Sequence, residues 1–138
     1  GNLDFESAKK IFNTNALGPL RIAEALHENL KAGDEKKLIN ISSIVGSLQL
    51  AKGNIHFYRA SKAALNMIMH NLAAEMKKDP IIIGLIHPGV VDTDMSAPFS
   101  IEKISVDHSV LNIKKLIESY NLEISGSFLS YTGETLPW

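Results

Sequence analysis

Apolar residues recur at intervals of three and four through the first part of the chain: Ala8, Ile11, Phe12, Ala16, Leu20, Ala23, Leu26 and Leu30. That period is one face of a helix and predicts a helix over about 5–31. Gly18-Pro19 falls inside it, and a proline removes a helical hydrogen bond, so a kink or loosening is expected there. Gly33-Asp34 ends the helix. Lys37 to Ser42 is a short apolar stretch with polar flanks, a strand. Residues 43–56 show no period and predict a loop. A second helical face, with Ala60, Ala63, Ala64, Met67, Ile68, Leu72, Ala73 and Met76, predicts a helix from Tyr58 to Lys78. Ile81 to Ile86 is a continuous apolar run of the buried, parallel-strand type. A polar loop runs to about 104, followed by a helix over Val106 to Tyr120 and a strand over Ser127 to Tyr131.

The order α, β, α, β, α, β predicts an α/β fold with a parallel sheet. Such sheets bind ligands beyond the carboxyl ends of their strands. Asn40-Ile41-Ser42-Ser43 and His87-Pro88-Gly89 both fall at predicted strand ends, so polar residues converge where this architecture places its sites.

Composition narrows the classes. The 138 residues suffice for one domain with a sizeable core. At 45% hydrophobic and 21% charged the chain reads as a soluble globular protein. A net charge of −1 gives no basic field for nucleic acid or an anionic membrane. The absence of cysteine excludes disulfides and thiolate chemistry and fits a reducing, cytoplasmic setting. No apolar run has transmembrane length, and the first residues lack the pattern of a signal peptide. The chain starts with Gly rather than Met, so a processed chain or a piece of something longer is expected.

The chemistry concentrates in Tyr58-Arg59-Ala60-Ser61-Lys62. A phenol and an ammonium four residues apart on a helix share a face. The ammonium favours the phenolate, so Lys62 is expected to lower the Tyr58 pKa and make it a general acid/base for a carbonyl or hydroxyl substrate. On their own, such pairs are common on exposed helices.

Four pieces in order resemble the short-chain dehydrogenase/reductase family: Asn15 in Asn-Ala-Leu-Gly-Pro, Ser43 in Asn-Ile-Ser-Ser-Ile-Val-Gly, Tyr58 with Lys62, and Pro88-Gly-Val-Val-Asp-Thr-Asp-Met95 after the buried strand. The tail from Gly126 to Trp138 resembles the C-factor-like and sniffer-like carbonyl reductase branch. The resemblance implies a Rossmann-type doubly wound parallel sheet, of which residues 1–138 would be the carboxyl-terminal part, three strands of an expected seven. It implies NAD or NADP as cofactor, with NADP preferred, and a small carbonyl or alcohol substrate. Tyr58 would be the acid and Lys62 its tuning residue and a holder of the nicotinamide ribose. Ser43 would hold the substrate oxygen and Asn15 would keep a water in a proton relay. Pro88, Gly89, Val91 and Thr93 would surround the carboxamide. A homodimer or tetramer through the helices at 5–31 and 58–78 is also implied.

Ser43 and Tyr58 lie fifteen residues apart, slightly more than the usual family spacing. The family's glycine-rich dinucleotide turn is absent from these residues, and with it the pyrophosphate cradle and adenosine pocket. The intact residue set favours a reductase over a non-catalytic interaction or signalling protein on the same scaffold.

Other residues read as structural. Asn40-Ile41-Ser42 matches a glycosylation triplet but lies in a buried strand. The five histidines have no metal-ligand spacing. His87 is read as structural, and His56 and Met95 as lining the substrate loop. Met67, Met69 and Met76 are read as helix packing, and Lys77-Lys78-Asp79 as a solvated helix end. Trp138 is read as packing on a neighbouring subunit or as a frayed tail.

Overall fold

The computed structural model describes residues 3–138. Three parallel strands form one sheet in the order β1 (Lys37–Ile41), β2 (Ile82–His87), β3 (Phe128–Ser130). Lys37 pairs with Ile82 and Ile41 with Ile86. On the other side of β2, Leu85 pairs with Phe128 and His87 with Ser130. Five of the six β2 residues are buried, as befits a strand covered on both faces.

Alternation along the strands sorts the core into two layers. On one face, Ile83, Leu85 and Phe128 pack with Leu65, Met69, Ala73 and Met76 of α4 (His56–Met76), joined by Leu20 and Leu30. On the other, Ile86 and Leu129 pack with Leu116 and Tyr120 at the end of α5 (Val106–Ser119). The Tyr120 hydroxyl reaches the carbonyls of Leu85 at 3.4 Å and Ser127 at 3.3 Å. Burial pushes its pKa up to about 12, so it stays a neutral donor.

The first helical stretch is not continuous. It comprises α1 (Phe5–Phe12), a π-helical turn (Asn13–Leu17), α2 (Gly18–Ala25) and α3 (His27–Ala32). The loosening expected at Gly18-Pro19 falls one turn earlier, for a geometric reason. Pro19 has no N–H for the Asn15 carbonyl four residues back, and its ring crowds that carbonyl. The backbone widens instead, and the Gly18 N–H bonds the Asn13 carbonyl five residues back. A second break at Leu26 (φ −102°, ψ 8°) has no proline or glycine to announce it.

The end of α4 also departs from expectation. Asp79 is not a solvated terminus: its carboxylate meets His27 Nε2 at 3.0 Å and Lys31 Nζ at 3.9 Å, tying α3 to the exit of α4. Among the three methionines read as packing, Met69 and Met76 are buried but Met67 is exposed. Trp138 is docked within its own chain. Its ring lies edge-on to His70 at 5.0 Å and beside Phe128 at 5.9 Å, and its carbonyl accepts from the Gln49 N–H at 2.9 Å. Among the described residues, no helix is long and apolar enough to cross a membrane.

Candidate active site

The carboxyl end of β1 opens into the site. The chain leaves Ile41, passes Ser42 and an extended Ser43, and turns into a short 3-10 helix, Ile44–Gly46. The two serines point opposite ways. Ser42 is buried and its hydroxyl donates to Asn66 Oδ1 at 2.5 Å. Ser43 is half-buried, accepts from the Val45 N–H at 3.4 Å, and its hydroxyl acts on Tyr58.

Gly46 lets this turn sit directly on α4. A Cβ there would come within 2.9 Å of the Lys62 carbonyl carbon and 3.1 Å of the Ala63 nitrogen. Those are backbone atoms and cannot swing aside. Gly46→Ala is therefore expected to destabilise the fold by about 1–3 kcal/mol, the usual cost of overpacking, and to push Ser43 away from Tyr58. Denaturant unfolding of the variant checks the first effect; an unchanged midpoint would refute the contact.

Tyr58 and Lys62 occupy the first turns of α4. Lys62 Nζ donates to the Ile41 carbonyl at 3.0 Å and stands 5.9 Å from the centre of the Tyr58 ring. Contrary to the expectation from sequence, Lys62 does not set the direction of the Tyr58 shift. Burial pushes the Tyr58 phenol above its ordinary value, and the Ser43 hydrogen bond only partly offsets this. Burial also lowers the Lys62 pKa. The ammonium is held by a strand carbonyl rather than by the phenol, so desolvation wins over Coulomb attraction.

Asn15 joins the site from the π-helical turn. Its Nδ2 donates to Ser61 Oγ at 3.1 Å, and Ser61 Oγ donates to the Tyr58 carbonyl at 2.8 Å. Phe5 and Phe57, with ring centres 5.6 Å apart, pack α1 against the entry to α4 nearby. Arg59 ties the preceding loop down through the Gly53 carbonyl at 3.1 Å and the Val45 carbonyl at 3.4 Å.

The segment after β2 is fixed as a second wall. Gly89 has φ +85°, and a Cβ there would strike Ile104 and Tyr131. Ser109 Oγ donates to the Pro88 carbonyl at 2.6 Å, and Ser96 Oγ donates to the Val91 carbonyl at 2.7 Å and accepts from the Thr93 N–H at 3.1 Å. Val91 bridges Ile104, and the Thr93 hydroxyl stays exposed. Met95, read as touching substrate, is largely exposed. His87 is buried against the sheet. Asn40 is buried with its amide on the Gly84 carbonyl at 3.3 Å, which closes its glycosylation triplet to modification. A hollow of about 360 Å³ lined by Leu20, Glu24, His27, Leu72 and Met76 lies between α2 and α4, away from the catalytic candidates.

The sequence reading missed Gly46, Ser61, Asn66 and Arg59. Lys62 and Asn66 are four apart on the stripe that starts at Tyr58, which is a signal, but polar residues on a helix are too common for spacing alone to single it out.

A fold of parallel strands with a Tyr–Lys pair and a serine at the strand ends defines a class, and comparison with known proteins agrees. The family model for short chain dehydrogenases matches residues 1–103, and the chain belongs to that family. Its relatives include the C-signal protein of Myxococcus xanthus, 34% identical over all of this chain and 82% of that protein. A 1-hydroxy-2-glutathionyl-2-methyl-3-butene dehydrogenase of Rhodococcus sp. is 36% identical, over all of this chain and 62% of its own length. Among solved structures, carbonyl reductase Sniffer of D. melanogaster superimposes with a TM-score of 0.91 at 30% identity, over 99% of this chain and 59% of that one. The NADPH-bound carbonyl reductase from chicken fatty liver gives 0.90 at 30% identity, with the same coverage. The three strands are thus part of a Rossmann-type sheet, and the chain spans a little under two thirds of most of these relatives.

Proposed function

We propose that residues 1–138 are the carboxyl-terminal part of one short-chain dehydrogenase/reductase domain and carry the proton-transfer machinery of an NAD(P)-dependent carbonyl/alcohol oxidoreductase. The observation that carries this is the gathering of Ser43, Tyr58 and Lys62 at the carboxyl end of β1, with Asn15 tied through Ser61 to the same turn of α4.

The donor set suits a nicotinamide nucleotide. A Lys62 ammonium and a Tyr58 hydroxyl on one face suit a ribose diol. The Thr93 hydroxyl and the backbone of Pro88, Gly89 and Val91 suit a carboxamide. A bound nicotinamide would supply or accept the hydride. Tyr58, its pKa raised by burial, would give its proton to the carbonyl oxygen, while the Ser43 hydroxyl holds that oxygen and stabilises the charge it gains. The widened turn at Asn15 leaves that residue's carbonyl without a partner from Pro19, which suits a place in a relay that returns the proton. NADP is the preferred carrier, a small carbonyl compound the substrate, the cytoplasm the setting, and pairing of copies through the helices at 5–31 and 58–78 the assembly. Exposed Leu17, Ile22 and Met67 on those helices suit that pairing.

Titration of NADPH and NADH, followed by nucleotide fluorescence, tests the reading. Residues 1–138 alone are expected to bind weakly, and a chain extended at the amino end by a glycine-rich turn tightly. Equal, tight binding by both would sink the assignment of these residues to part of a domain.

A further inference from the structure

Beneath the site lies a buried polar layer with no part in proton transfer. Leu38, Ile83, Leu85 and Phe128 face α4, and alternation along the strands turns Ser42 and His87 to that face as well. Asn66, on the stripe below Tyr58 and Lys62, meets this layer: its Oδ1 accepts from Ser42 at 2.5 Å. Asn66 is 2% exposed, and its Nδ2 has no hydrogen-bond partner among the described residues. An apolar residue would avoid that unpaired donor, which by itself opposes folding. Asn66 does satisfy the buried Ser42 hydroxyl, but an apolar pair at the two positions would leave neither group unpaired, so stability alone does not account for the pair. Position does: the Ser42–Asn66 bond is a side-chain link between the end of β1 and α4, immediately before Ser43.

We propose that Asn66 is a positioning residue: through Ser42 it fixes the end of β1, and so the Ser43 hydroxyl, beside Tyr58 on its own helix. Gly46 sets how closely the turn approaches α4, and the Ser42–Asn66 bond sets its register along the helix. The catalytic consequence rests on the reading given under Proposed function; the geometric one does not.

The test uses Tyr labelled with 13C at Cζ, the Tyr58 signal being assigned by its loss in Tyr58→Phe. Its pH titration is followed in the unaltered chain and in Ser43→Ala, Asn66→Leu and Ser42→Ala. Removal of the Ser43 hydroxyl is expected to raise the Tyr58 midpoint. Asn66→Leu and Ser42→Ala are expected to raise it in the same direction, and the double variant Ser42→Ala/Asn66→Leu, which leaves neither the hydroxyl nor the amide unpaired, should unfold at no lower temperature than the unaltered chain. The double variant Ser42→Ala/Asn66→Leu should shift Tyr58 no further than either single one. In the extended chain Asn66→Leu should lower kcat about tenfold with the nucleotide KM within about twofold, a small displacement being enough for such a loss. A Tyr58 titration unmoved by Asn66→Leu and Ser42→Ala, whether or not Ser43→Ala moves it, would overturn the proposal. Retained turnover in Tyr58→Phe would instead refute the acid role given to Tyr58 and leave the titration result standing.

Discussion

Tyr58→Phe is expected to lower carbonyl reduction by about 10²–10⁴-fold, the range a positioned proton donor contributes. The ring keeps its packing and only the hydroxyl is lost, so nucleotide binding in the extended chain should change little. Lys62, which bonds the Ile41 carbonyl rather than the phenol, should stay in place. Steady-state kinetics alongside nucleotide titration separate the two effects. The raised pKa of Tyr58 adds a direction. Reduction uses the protonated phenol and should stay level through neutral pH. Oxidation of the alcohol needs a proton acceptor and should rise as pH increases. Turnover retained in Tyr58→Phe, or an oxidation rate that falls with increasing pH, would show that another group moves the proton.

Acidification is expected to destabilise the fold through His87. Burial lowers its pKa from 6.5 to about 4. A folded pKa below the unfolded one means that the unfolded chain binds the proton first, so stability rises with pH across this window. The contribution is complete above about pH 6.5 and is lost as pH falls toward about 4, amounting to about 2–3 kcal/mol after allowance for residual solvent access. Its cause is geometric: His87 Nδ1 is buried with no hydrogen-bond partner among the described residues, so a second proton would sit as an unpaired charge beside Ser130. Urea unfolding at pH 7.5 and pH 4.5 measures the loss, and His87→Leu should remove about 2 kcal/mol of it. An equal loss in the variant would assign the acid sensitivity to other groups.

Much of the fold was legible because its elements are strongly periodic or continuously apolar. Ile81 to Ile86 gave β2 within one residue, and the stripe from Ala60 to Met76 gave α4 within two. Pro19 announced an irregularity but not its site, because a proline acts on the carbonyl four residues before it. The break at Leu26 carried no signal, since both flanks keep the helical period. The His27–Asp79 pair brings together residues 52 apart in sequence, which no local pattern encodes.

Sequence alone determined the order of strands and helices and singled out Asn15, Ser43, Tyr58 and Lys62 as site candidates, because periodicity and motif spacing are local properties. Only the tertiary structure decided how these groups behave. The four-residue spacing of Tyr58 and Lys62 puts them on one face, yet the sign of the Tyr58 shift depends on what surrounds them. The sheet offers the ammonium the Ile41 carbonyl, and burial of the phenol raises its pKa rather than lowering it. The same packing turned Ser42 inward onto Asn66 and left Ser43 beside Tyr58. Burial and long-range partners set charge and position, and both are properties of the assembled layers.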